Sequence, residues 1–178
     1  MAITADIVKF RYGSAIDHQP IEYKIGMGAS GQTLYRGSVA AISGGTTVTQ
    51  GYLKNMATPA SGDIVVGLID DYGPSCGQAN TGPGLGGTVL NTADGVLTAN
   101  VVTGTWLLSG GTGSDALTIT NLQTSVYLID EKTVGATNGG STRPVAGLLV
   151  QVPSIDASIP TGMVAVQLGT PAGPWGGV

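Results

Sequence analysis

Thr88-Val-Leu-Asn-Thr-Ala-Asp94-Gly95-Val96-Leu-Thr-Ala-Asn100 is the stretch that sets the fold class. Asp94-Gly95 separates two runs of strand-forming residues. Asp-Gly tolerates the positive φ angles of a type I′ turn, whose twist matches the strands on either side. The spacing therefore predicts a β-hairpin over Thr88–Asn100.

The same grammar extends in both directions. Short β-type runs punctuated by Gly, Pro, Asn and Asp predict strands near Ile21–Ile25, Thr33–Ile42, Thr46–Tyr52, Ile64–Asp70, Thr105–Leu108, Ala116–Thr120, Val126–Ile129, Val145–Val152 and Met163–Leu168. Patterns of period 3.6 are almost absent; Tyr52–Met56 has the spacing of one helical turn before Pro59. The expected fold is all-β, a small β-barrel or β-sandwich over residues 21–170, with an N-terminal arm or first strand at 1–20 and an irregular tail at 171–178. Gly73–Gly87, Gly110–Asp115 and Gly135–Arg143 read as loops, the first long, rich in Gly and Pro and almost uncharged. Val65-Val66-Gly67-Leu68-Ile69 resembles Val145-Ala146-Gly147-Leu148-Leu149. A mid-strand glycine marks a bend or a close backbone approach. Shared strand chemistry accounts for so short a match more economically than duplication does.

Composition narrows the function. Only 10% of the 178 residues are charged, 30 are glycine, and mean hydropathy is +0.26. Apolar runs such as Ile64–Ile69 are strand-sized, far short of the ~20 residues of a membrane span, so no membrane association is expected. A surface so poor in charge suits a protein partly covered by neighbours. The first ten residues lack a basic stretch followed by an apolar one, Cys76 stands alone, and no Asn-x-Ser/Thr sequon occurs, which fits synthesis in a bacterial cytoplasm. Net charge is −4; residues 1–36 balance at +1 and the rest at −5, so a nucleic-acid partner is not expected.

The motifs that suggest chemistry have plainer explanations. Gly26-Met-Gly28-Ala-Ser-Gly31-Gln32-Thr33 has phosphate-loop spacing, but Gln32 replaces the lysine and a strand-like run follows where a helix is required. Asp70-Asp71 and Asp130-Glu131 are adjacent acids, which point to opposite faces of a strand. His18 and Cys76 are too few for zinc and lack a catalytic partner. No catalytic residue, cofactor or metal is expected. Candidate assembly contacts are Lys9, Phe10, Arg11 and Tyr12 in the N-terminal segment and Trp175 in the tail.

Ser125–Val152 resembles a segment of the capsid decoration proteins of tailed bacteriophages, also called cement or head-stabilising proteins. Val126-Tyr127-Leu-Ile-Asp130 leads through a polar loop to Val145-Ala146-Gly147, with Gly162–Leu168 as the closing strand and Gly62-Asp63-Ile64-Val65-Val66-Gly67 as an upstream element. The likeness covers roughly residues 60–170. It implies a β-rich, commonly trimeric, non-enzymatic protein on the outer surface of the capsid, clamping neighbouring major capsid proteins. The Gly73–Gly87 loop, the first 35 residues and the Trp175 tail depart from that pattern. The alternative is another phage structural protein, a head fibre or tail component, including one that binds glycans. A small enzyme using Asp70, Asp71 or His18 would need a pocket gathering them.

Overall fold

The computed structural model describes residues 21–26, 32–45, 48–72, 88–89 and 94–168. Among these residues it is all-β apart from two 3-10 turns, Gly113–Asp115 and Ile119–Asn121. The strands are β1 (Ile21–Lys24), β2 (Gln32–Thr33), β3 (Val39–Ile42), β4 (Leu53–Asn55), β5 (Ile64–Tyr72), β6 (Thr88–Val89), β7 (Thr98–Val102), β8 (Gly104–Gly110), β9 (Ser125–Leu128), β10 (Thr133–Gly135), β11 (Val145–Gln151) and β12 (Met163–Leu168).

They form two five-stranded units and a small ribbon of β2 with β6. The second unit is a closed barrel in the cyclic order β8-β12-β11-β9-β10, sealed by parallel pairing of β10 with β8. The first is a sheet in the order β1-β7-β5-β3-β4, whose two edges meet at a parallel bridge between Ile25 and Leu53. Strand for strand, the two orders are the same.

The correspondence extends to the defects. In β5, Gly67 pairs with Ala40 and Val65 with Ala41; in β11, Gly147 pairs with Val126 and Val145 with Tyr127. Each glycine thus follows a β-bulge, one extra residue in its own strand. A second bulge lies at the same offset in each strand, between Ile69 and Asp71 and between Leu149 and Gln151. Loop hydrogen bonds match too: Gly37 N–H donates to Ile69 O (2.8 Å) as Gln123 N–H donates to Leu149 O (2.9 Å), and Gly26 N–H to Leu53 O (2.9 Å) as Gly111 N–H to Val134 O (2.8 Å). Gly37 and Gln123 both take positive φ, 81° and 60°. The structure is an internal repeat. Five-residue similarity by strand chemistry alone, the economical reading of the sequence, is corrected by this shared register.

The bulges set which side chains are buried. An unbroken strand would alternate strictly, but the extra residue puts Val65 and Leu68 on one face of β5 and Val66 and Ile69 on the other. Ile69, Ala40, Ala99, Val101, Leu53, Leu34 and Ile25 fill the interior of the first unit. Val126, Leu128, Val134, Leu149, Val164 and Val166 belong to the cluster inside the second, and Val39, Ala41, Val65, Leu68 and Val102 join it from the outer face of the first. Thr103 alone separates β7 from β8.

Three local expectations are corrected. The Asp94-Gly95 turn forms, with Gly95 at φ +74°, but Val96–Val102 does not return along Thr88–Val89. Both edges of β7 are occupied by β1 and β5, while β6 pairs with β2. Tyr52–Met56 contains strand β4, not a helical turn, because Leu53 and Lys54 are both buried by long-range partners. Ala116–Thr120 is no strand: Thr118 N–H bonds the Asn121 side chain (2.9 Å), closing a capping box that competes with a ladder. The predicted run Thr33–Ile42 is also interrupted, by a turn at Arg36-Gly37 where Ser38 Oγ donates to Tyr35 O (2.6 Å).

Candidate functional site

Lys9, Phe10, Arg11, Tyr12 and Trp175 lie outside the described residues, as do His18, Cys76 and the Gly73–Gly87 loop. The described residues offer two other built features.

The first joins two of the predicted loops. Arg143 Nη1 donates to Asp115 Oδ1 (2.8 Å) and to Thr137 O (3.2 Å), while Thr137 Oγ1 donates to the same carboxylate. Asn138 Oδ1 accepts from Gly140 N–H (3.1 Å) and Ser141 N–H (3.2 Å). Glycine at 135 is required because a Cβ there would lie 2.9 Å from Asp115 Cβ. Gly110–Asp115 and Gly135–Arg143 are therefore fastened into one platform at the barrel rim.

The hydrogen bond from Arg143, then that from Thr137, holds the Asp115 carboxyl below its ordinary value near 3.8, against a smaller opposing effect of burial. A depressed folded pKa gives stability that is present above the unfolded value and lost as pH falls through the folded one. Asp115→Asn is thus expected to flatten the acid limb of stability below about pH 4 and to change little at pH 7 beyond losing the partly buried pair. Urea midpoints from pH 7 to pH 2 for the two proteins measure this; parallel curves would refute it.

The second feature is internal. Lys54 Nζ meets Asp63 Oδ2 at 2.8 Å with both side chains essentially inaccessible, 2% and 0%. Lys54 also donates to Thr58 O (3.2 Å), and Asp63 accepts from Gly44 N–H (2.9 Å) and Ala60 N–H (2.8 Å). The loop from Thr58 to Asp63 is thereby tied to β4 and to the β3–β4 connection. A buried lysine carries no period or spacing that would single it out in the sequence.

Among the described side chains, the paired acids do not converge on a site. Asp130 Oδ1 accepts from Lys132 N–H (3.0 Å) and Thr133 N–H (2.9 Å), turning the β9–β10 hairpin. Glu131 is buried, and its carbonyl accepts from Val39 N–H (2.7 Å) across the junction of the two units. Asp70 is the extra residue of the second bulge of β5, and its carbonyl accepts from Arg36 Nε (2.9 Å). The glycine-rich stretch at 26–33 ends in β2, a strand and not the helix a phosphate loop needs. Among the described residues, no three of His, Cys, Asp and Glu are grouped to hold a metal, and no helix is long and apolar enough to cross a membrane.

No family model, curated protein or solved structure matches this chain. Ile21, Ile64, Val96, Ile119, Val145 and Ile155 are all large, apolar and exposed. In a chain with so few charges, such residues are suited to contact with protein.

Proposed function

We propose that the chain is a structural virion protein, a capsid decoration protein that binds the outer surface of a tailed-phage head as a homotrimer and clamps neighbouring major capsid proteins. The carrying observation is a frame of two like β-units with exposed apolar side chains, Ile64 at 63% and Val145 at 51%, in a chain of which 10% is charged. Support also comes from the segment that resembles the decoration proteins, which folds as β9, β10 and β11 of one barrel, with β9 paired to both of the others. The acidic body favours the outside of a shell over its DNA-facing side. Each contact with the shell is modest, and three in one oligomer act together, so avidity can exceed a single contact by about 100-fold.

The test is co-sedimentation with expanded phage heads stripped of their decoration protein. Binding is expected to saturate at a fixed number of chains per head and to raise the temperature at which the heads release DNA. Absence of binding, with retention on an immobilised glycan array instead, would overturn the capsid reading in favour of a fibre or tail component.

A further inference from the structure

The two repeats meet asymmetrically, and the asymmetry leaves matching surfaces without a partner among the described residues. The outer face of the first unit (Val39, Ala41, Val65, Leu68 and Val102) is buried in the cluster it shares with the second. The register equates these with Ser125, Tyr127, Val145, Leu148 and Gln167 on the second unit. There, Val145 is 51% exposed, Ser125 and Gln167 are exposed, and Tyr127 and Leu148 are only half-buried. The same face is covered in one copy and open in the other.

The other side of the contact behaves likewise. On the second unit, Trp106 lies in the shared cluster, Pro144 is buried, and Glu131 O accepts from Val39 N–H of the first unit. Pairing of Ile21 with Val101 and of Trp106 with Val166 makes Ile21 the counterpart of Trp106, and the Gly67–Gly147 equivalence makes Ile64 that of Pro144. Ile21 is 52% and Ile64 63% exposed. Three of the exposed large apolar residues thus lie on the two surfaces for which the fold already contains a complementary contact.

We infer that a second copy of this chain occupies them: the Ile21/Ile64 region of one chain seats on the Tyr127/Val145/Leu148 face of the next, repeating between chains the contact made within each. The contact is head-to-tail, so it propagates and closes into a ring when the rotation allows. Three chains would give a ring of six similar units. That ring of three rests on the trimer of the proposed function; the contact rests only on the repeat.

Light scattering on Val145→Asp, Ile64→Asp and a control, Ile155→Asp, tests this. Wild type and the control are expected as oligomers, and each of the other two as a single chain of 17.7 kDa with unchanged circular dichroism. Mixing Val145→Asp with Ile64→Asp leaves one intact head and one intact tail, so the mixture is expected to form dimers and nothing larger. A monomeric wild type, variants that keep the wild-type mass, or a mixture that stays monomeric would each overturn the inference. Self-association through these faces without binding to phage heads would overturn the capsid reading alone.

Discussion

Gly67→Ala is expected to destabilise the protein by roughly 2–6 kcal/mol, combining about 1–3 from a strained backbone with about 1–3 from overpacking. Gly67 sits at φ +152°, where side chains are rarely tolerated. A Cβ on it would lie 2.3 Å from Val102 O and 2.8 Å from Val101 Cγ1. The carbonyl belongs to the neighbouring strand and cannot step aside without breaking the ladder that seats β7 against β5. Because the bulge also sets the facing of Val65, Val66, Leu68 and Ile69, relief by straightening the strand would expose apolar residues on both faces. Gly51→Ala is the internal comparison: φ is +88° but no atom lies within 4 Å of the added carbon, so only the backbone cost of about 1–2 kcal/mol remains. Urea denaturation ranks the two. Equal midpoints would mean that the close approach at Gly67 is wrong.

Asp63→Ala is expected to cost about 3–5 kcal/mol, because it strands a buried ammonium. The carboxylate does more than neutralise Lys54, since it also satisfies the amides of Gly44 and Ala60. Lys54→Met should be milder. It leaves a buried carboxylate, but one that keeps two backbone donors, and its apolar stem replaces that of the lysine. The double variant restores neutrality without restoring those two donors, so it should recover part of the loss and not all of it. A thermal-unfolding cycle over the four proteins gives the coupling directly. Additive effects would show that the two groups do not interact as the 2.8 Å contact requires.

The all-β class was legible because strand and turn chemistry are local. Ile64–Asp70, Val145–Val152 and Met163–Leu168 were readable from continuous apolar runs, and Gly67 and Gly147 as points of close approach. Pairing was less accessible. The Asp94-Gly95 turn forms, yet the partners of β7 are 27 to 80 positions away in sequence and no local signal names them. The repeat was hidden for a related reason. Equivalent positions such as Ala40 and Val126, or Leu53 and Val134, share a buried environment but not a side chain, and apart from the few residues around each glycine little identity survives. The Lys54–Asp63 pair escaped because a lysine inside a strand reads as a solvated one. The residues proposed as assembly contacts, Lys9 to Tyr12 and Trp175, lie outside the described positions, whereas the surfaces that the repeat leaves open are formed by residues that read simply as strand.

The one-residue link at Thr103 bears on synthesis. The described strands of the first unit are all synthesised by Val102, with Val39, Val65 and Leu68 on an outer face that, among the described residues, the second unit covers. Sixty-six further residues, up to Leu168, must follow before that cover exists. At about 5–20 residues per second, the nascent half-protein presents a bare apolar flank for roughly 3–13 s. Translation speed and chaperone supply therefore govern the yield of intact chain, and products truncated near residue 103 should collect in inclusion bodies.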